Sequence, residues 1–98
     1  MISKEHGRTG ARYWFAFHPY HKENLENSKE SFVALGCGSA KTILLIPLND
    51  FKSWLNRLWT TEKDGRFYWH INIGNSKNEF TLNTKKEFET INLDKYII

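Results

Sequence analysis

The chain has 98 residues, 40% hydrophobic and 15% aromatic, enough for one domain with a buried core and too apolar for a disordered chain. Its 14 Lys and Arg against 11 Asp and Glu leave a net charge of +3, which permits a phosphate-bearing partner without demanding one. No apolar run approaches the roughly 20 residues of a membrane-spanning helix, no signal segment opens the chain, and the single Cys37 cannot form an internal disulfide, so a cytoplasmic protein with no membrane partner is expected.

Residues 1–11 are polar and Gly-containing, and they read as a flexible leader or linker ahead of one α+β domain over 12–98. Arg12 to His18 is aromatic-rich and closed by Pro19, which predicts a strand with Tyr13, Phe15 and Phe17 on one side and Trp14, Ala16 and His18 on the other. His21 to Lys29 has Leu25 as its one apolar residue and reads as a short surface helix or structured loop. Ser31 to Cys37 is a second strand, and Gly38-Ser39-Ala40 suits a hairpin connection to a third at Thr42 to Ile46. The unbroken apolar run Ile43-Leu44-Leu45-Ile46 suggests cover on both faces.

After Pro47, Asn49 or Asp50 can cap a helix. Phe51, Trp54, Leu55, Leu58 and Trp59 then recur at helical spacing as one apolar stripe, with Thr60-Thr61 and Asp64-Gly65 ending the helix and turning the chain. Arg66 to Ile73 alternates strongly: Phe67, Trp69, Ile71 and Ile73 form one face, Tyr68, His70 and Asn72 the other. A turn at 74–78 leads to a pairing strand over 79–84. Ile91 to Ile98 returns to the core as an edge strand or short helix. The order β-α-β-β-α-β-β-β implies an α+β fold with two helices and a mostly antiparallel sheet, open to strong curvature.

Should the two aromatic strands be neighbours, Trp14, His18, Tyr68 and His70 share a face. Aromatic rings offer stacking surfaces to bases, and His and Tyr offer hydrogen-bond edges. Large aromatics are more often buried, so helices covering this face are the simpler expectation. Arg57, Lys63 and Arg66 fall around the predicted helix end beside Trp59, Thr60 and Thr61; they suit a phosphate-contacting rim, or an ordinary solvated helix end. A zinc site needs paired ligands at both ends, and only His18 and His21 are paired, with Cys37 and His70 elsewhere. Cys37 in an apolar strand fits a small buried residue better than a nucleophile. The acidic residues show no convergent set for a metal-dependent nuclease. No cofactor is implied.

At Tyr13-Trp14-Phe15-Ala16-Phe17-His18-Pro19, Leu35-Gly36-Cys37-Gly38, Leu44-Leu45-Ile46-Pro47 and Phe67-Tyr68-Trp69-His70-Ile71 the chain resembles an accessory domain of bacterial restriction and mobile-element defence proteins. The resemblance covers most of residues 12–98 and brings no catalytic residues with it. It implies a module beside a covalently linked nuclease or other effector, with DNA as partner. The leading expectation is therefore a nucleic-acid-binding, target-recognition module using Trp14, His18, Tyr68, His70, Arg57, Lys63 and Arg66. A structural or oligomerisation domain is the alternative, and a hydrolase or nuclease using His18, His70 and Cys37 the third.

Overall fold

In a computed structural model, residues 1–3, 11–29, 31–38, 42–76 and 79–98 are described. The alternating aromatic stretches form the centre of an antiparallel sheet. Strand β2 (Ala11–Phe17) pairs with the long β6 (Arg66–Ser76), placing Phe15 opposite Ile71 and Phe17 opposite Trp69. The other edge of β6 is shared by β5 (Thr60–Lys63) and β7 (Glu79–Asn83), and β8 (Ile91–Asn92) pairs with β7. A second sheet of three strands has the order β1 (Ile2–Ser3), β3 (Phe32–Cys37), β4 (Ile43–Pro47). Helices α1 (Pro19–Glu26) and α2 (Leu48–Trp54) complete the α+β fold, α2 running on into a 3-10 turn over Leu55–Arg57.

One core lies between these layers. Tyr13, Phe15, Phe17, Ile71, Ile73, Phe80 and Leu82 from the five-stranded sheet meet Val33, Leu35, Leu44 and Ile46 from the smaller sheet and Phe51, Trp54 and Leu55 from the α2 segment. Phe17, with no exposed surface, sits edge-on to Phe51 at 4.8 Å. Each such fully buried large side chain stabilises the fold by about 1.5–3 kcal/mol relative to leaving it in water. Leu93 and Tyr96 close the core from the C-terminal segment, the Tyr96 hydroxyl donating to Asp50 Oδ2 at 2.9 Å. Among the described residues, no helix is long and apolar enough to cross a membrane.

Several expectations need revision. The mostly antiparallel strands divide into two sheets, and the curvature left open by the sequence is not strong. Ile2–Ser3, expected within a leader, pairs in parallel with Gly36–Cys37, and the Ser3 hydroxyl accepts the Trp14 N–H at 3.0 Å, stitching the two sheets together. Residues 4–10 of that leader, and Ser39 and Ala40 of the expected hairpin, lie outside the described residues. β4 is buried at Leu44 and Ile46 and half-buried at Ile43, Leu45 and Pro47, so its second face is only partly covered. Gly74–Ser76 is strand, where a turn was expected.

The helix is shorter than its stripe. Pro47 stands at its N-terminal boundary, with Asn49 and Asp50 already in the first turn. Its regular hydrogen bonding stops at Trp54, Leu58 is extended, and Trp59 has joined the sheet by accepting the His70 N–H at 2.9 Å. Leu58 still reaches the core, but Trp59 turns out to 42% exposure. A backbone captured by a neighbouring strand cannot also continue a helix. Thr60–Lys63 then continues as β5, folded back on Arg66–Trp69 through a tight turn at Asp64 (φ 54°) and Gly65 (φ 75°). Two successive positive φ angles match the right-handed twist of a hairpin, which is why an Asp-Gly pair stands there.

Candidate functional site

Alternation assigns every second residue of the five-stranded sheet to the core, and the others to the opposite face. On that outer face β2 presents Arg12, Trp14 and Ala16, with His18 just beyond its end, β6 presents Arg66, Tyr68, His70 and Asn72, and β5 presents Thr61 and Lys63. Trp59 aligns with His70, and Asn83 of β7 with Asn72. Both helices, expected to bury this face, are placed elsewhere. α2 packs into the core between the sheets, and α1 follows β2 with none of its residues buried. The expectation that helices cover this face is not met at Trp14, which is 42% exposed, although His18, Tyr68 and His70 are half-buried.

Trp14, His18, Tyr68 and His70 are brought together. Trp14 lies 5.8 Å from His70 and 6.4 Å from Tyr68, ring centre to ring centre; Tyr68 is 5.0 Å from His70 and 5.4 Å from His18. The string continues beyond the strand: His18 stacks on Tyr20 at 5.1 Å with only 15° between planes, and His21 is 4.2 Å from Tyr20. Edge-to-face and offset geometries of this kind contribute about 0.5–1.5 kcal/mol per pair. They hold the rings in fixed orientations while leaving Trp14 42% and Tyr20 58% exposed.

His70 sets the orientation of Trp14. The indole Nε1–H donates to His70 Nδ1 at 3.1 Å, and His70 Nε2 lies 2.5 Å from the Thr61 hydroxyl. An indole N–H can only donate, so Nδ1 is the acceptor, and Nε2 pairs with the Thr61 hydroxyl on the other side of the ring. His70 is thus a positioning residue that anchors the exposed indole, with both nitrogens occupied. His18 caps α1, its backbone N–H donating to His21 Nδ1 at 3.1 Å. Burial, then the neighbouring His18 and the Met1 amine, hold His21 below its ordinary value.

The expected basic rim separates into two parts. Lys63 and Arg66 are direct cross-strand neighbours at the hairpin end and, with Thr61, Asp64 and Tyr68, line a recess of ≈ 480 Å³. Arg57 is not with them: its guanidinium rests on the Phe88 ring at 5.7 Å and its carbonyl accepts the Lys85 N–H. Capture of Trp59 by β6 turned the chain and left Arg57 behind. Arg12, which sequence reasoning did not single out, takes its place at the other end of the face. A second recess, of ≈ 450 Å³, is lined by Arg12, Trp59, Asn72 and Asn83 together with Tyr13, Ile73 and Thr84. The strict alternation of β2 marks Arg12 as a neighbour of Trp14 on the same face. Asn83 required knowledge of which strand pairs with β6.

The catalytic and metal arrangements considered from sequence are not assembled here. Cys37 is buried in the core of the smaller sheet, its thiol pushed up to about 11 by that burial and aimed at the Leu35 carbonyl. His70 stands on the outer face of the other sheet. Among the described residues, no group of three or more His, Cys, Asp or Glu side chains is placed to hold a metal ion. No protein family, curated protein or solved structure matches this chain.

Proposed function

We propose that the domain is a nucleic-acid-binding module, acting on DNA through the outer face of its five-stranded sheet. One observation carries this: an uncovered face on which Trp14, Trp59, Tyr68, His18 and His70 stand between cations at both ends, Arg12 on one side and Lys63 with Arg66 on the other. Exposed, oriented rings are what base stacking uses, and flanking cations are what phosphates require. The acidic residues on this face, Asp64 at the hairpin turn and Glu79 at the start of β7, lie at its margins. The resemblance to restriction and defence accessory domains supports DNA as the polymer and a linked effector as its user. A reducing, cytoplasmic setting agrees with an inert, buried Cys37.

Fluorescence anisotropy of labelled DNA and RNA, titrated with the domain at two salt concentrations, tests the proposal. Three cations in contact with phosphates give a slope of log affinity against log salt of about −2 to −3. Binding that ignores salt, or none at tens of micromolar (roughly the weak limit of non-specific recognition), sinks it. The competing use of the same face, self-association through Trp14, Tyr20 and Trp59, is visible in the same samples as a mass that rises with concentration in sedimentation.

A further inference from the structure

The recess between Arg12 and Trp59 is distinct from the Trp14–His70 cluster in one respect. Four of its polar side chains are unengaged. Among the described residues, Arg12, Trp59, Asn72 and Asn83 have no side-chain hydrogen bond or ion pair, whereas Trp14 and His70 satisfy each other. Asn72 and Asn83 are direct cross-strand partners, so two carboxamides stand side by side on neighbouring strands, beside an indole that is 42% exposed. Arg12 is two residues from Trp14 on the same strand and face.

We infer that this recess is a nucleobase-binding site for a single-stranded nucleic acid, an inference that rests on the nucleic-acid role proposed above. Trp59 supplies the stacking plane, the Asn72 and Asn83 amides supply donors and acceptors for the base edge, and Arg12 holds the adjoining phosphate. The chemistry selects the occupant. A carboxamide offers a donor and an acceptor in one plane, the complement of a base edge, and asparagine reads adenine this way. An indole face can stack only on a base whose own face is free, which a duplex hides and a single strand presents. At ≈ 450 Å³ the recess falls within the roughly 300–1,000 Å³ of small-ligand sites. Trp14, on the same face between Arg12 and His70, offers a second plane to a neighbouring base, so the strand would run across β2 and β6.

The test is anisotropy with labelled dA, dC and dT homopolymers, the matching RNA strands and a duplex of equal length. Wild type, Trp59→Ala, Trp59→Phe and the Asn72→Ala/Asn83→Ala double variant are compared, each checked for a wild-type circular dichroism spectrum. Single strands are expected to bind at least tenfold more tightly than duplex. Trp59→Ala should weaken single-strand binding by about 5- to 100-fold, and Trp59→Phe should recover most of it. The double asparagine variant should flatten the preference among bases while keeping the salt slope. Salt-sensitive binding that all three variants retain unchanged overturns the base site and leaves the nucleic-acid role standing. Preference for duplex overturns it as well. Failure of wild type to bind any probe removes the role itself.

Discussion

The two faces of the five-stranded sheet are made from the same strands and similar residues, yet they differ in every physical respect that matters. On one, Phe15, Phe17 and Ile71 are sealed against a second sheet and a helix. On the other, one residue along in each strand, Trp14, Tyr68 and His70 are ordered by ring contacts and a hydrogen bond, with Trp14 exposed and Tyr68 and His70 half-buried. Aromatic content therefore says little about burial by itself. What separates a core ring from a surface ring is whether another layer lies across it.

The contrast is broken most severely from the inside. Phe17→Ala should cost about 3–5 kcal/mol, since a fully buried ring leaves a cavity bounded by Phe51 and Trp69. Urea denaturation measures it, and a loss under about 1 kcal/mol would mean the inner face is not the core. Trp14→Ala reverses the pattern. The stability loss should stay near 1 kcal/mol, the value of one hydrogen bond and some ring contact, while DNA affinity falls about 5- to 100-fold. A variant that unfolds instead would place Trp14 among the structural residues.

Charge sharpens the same comparison. Lys63→Ala and Arg66→Ala should each reduce the salt slope by about 0.7–0.9 and leave the melting temperature unchanged. An unaltered slope would remove the hairpin end from the interface. The smallest effect concerns pH. His21 is held below its ordinary value of 6.5 by burial, so the folded state binds its proton less readily than the unfolded chain. Its contribution is intact above 6.5 and is lost as pH falls below it. Stability should decline modestly as pH falls below about 6.5, and His21→Gln should remove part of that decline. A variant whose acid sensitivity matches wild type would show that His21 is not responsible.

Much of this was legible one strand at a time. Alternation in Arg12 to His18 and in Arg66 to Ile73 separates inner from outer residues because successive side chains of a strand must point to opposite sides. The four residues of the outer cluster follow from that separation and from antiparallel pairing. β5 was not legible: Thr60 to Lys63 is polar and becomes a strand only through its hydrogen bonds to β6. Nor was the loss of Trp59 from its helix, where local period favoured one outcome and strand pairing enforced another. Ile2–Ser3 is a parallel partner of residues more than thirty positions away, which no local pattern can report.

By itself, then, the order of residues determined the α+β class, the strands around the aromatic runs, and which side chains of each strand travel together. Those properties are local, set by backbone geometry and by the periodicity of apolar residues. Tertiary structure alone decided which face would be covered, that Arg57 would leave the rim and Arg12 join it, and that Asn83 would come to lie beside Asn72. Each of these depends on which layer packs against which and which strand claims a free edge, and such contacts are made between segments far apart in the chain.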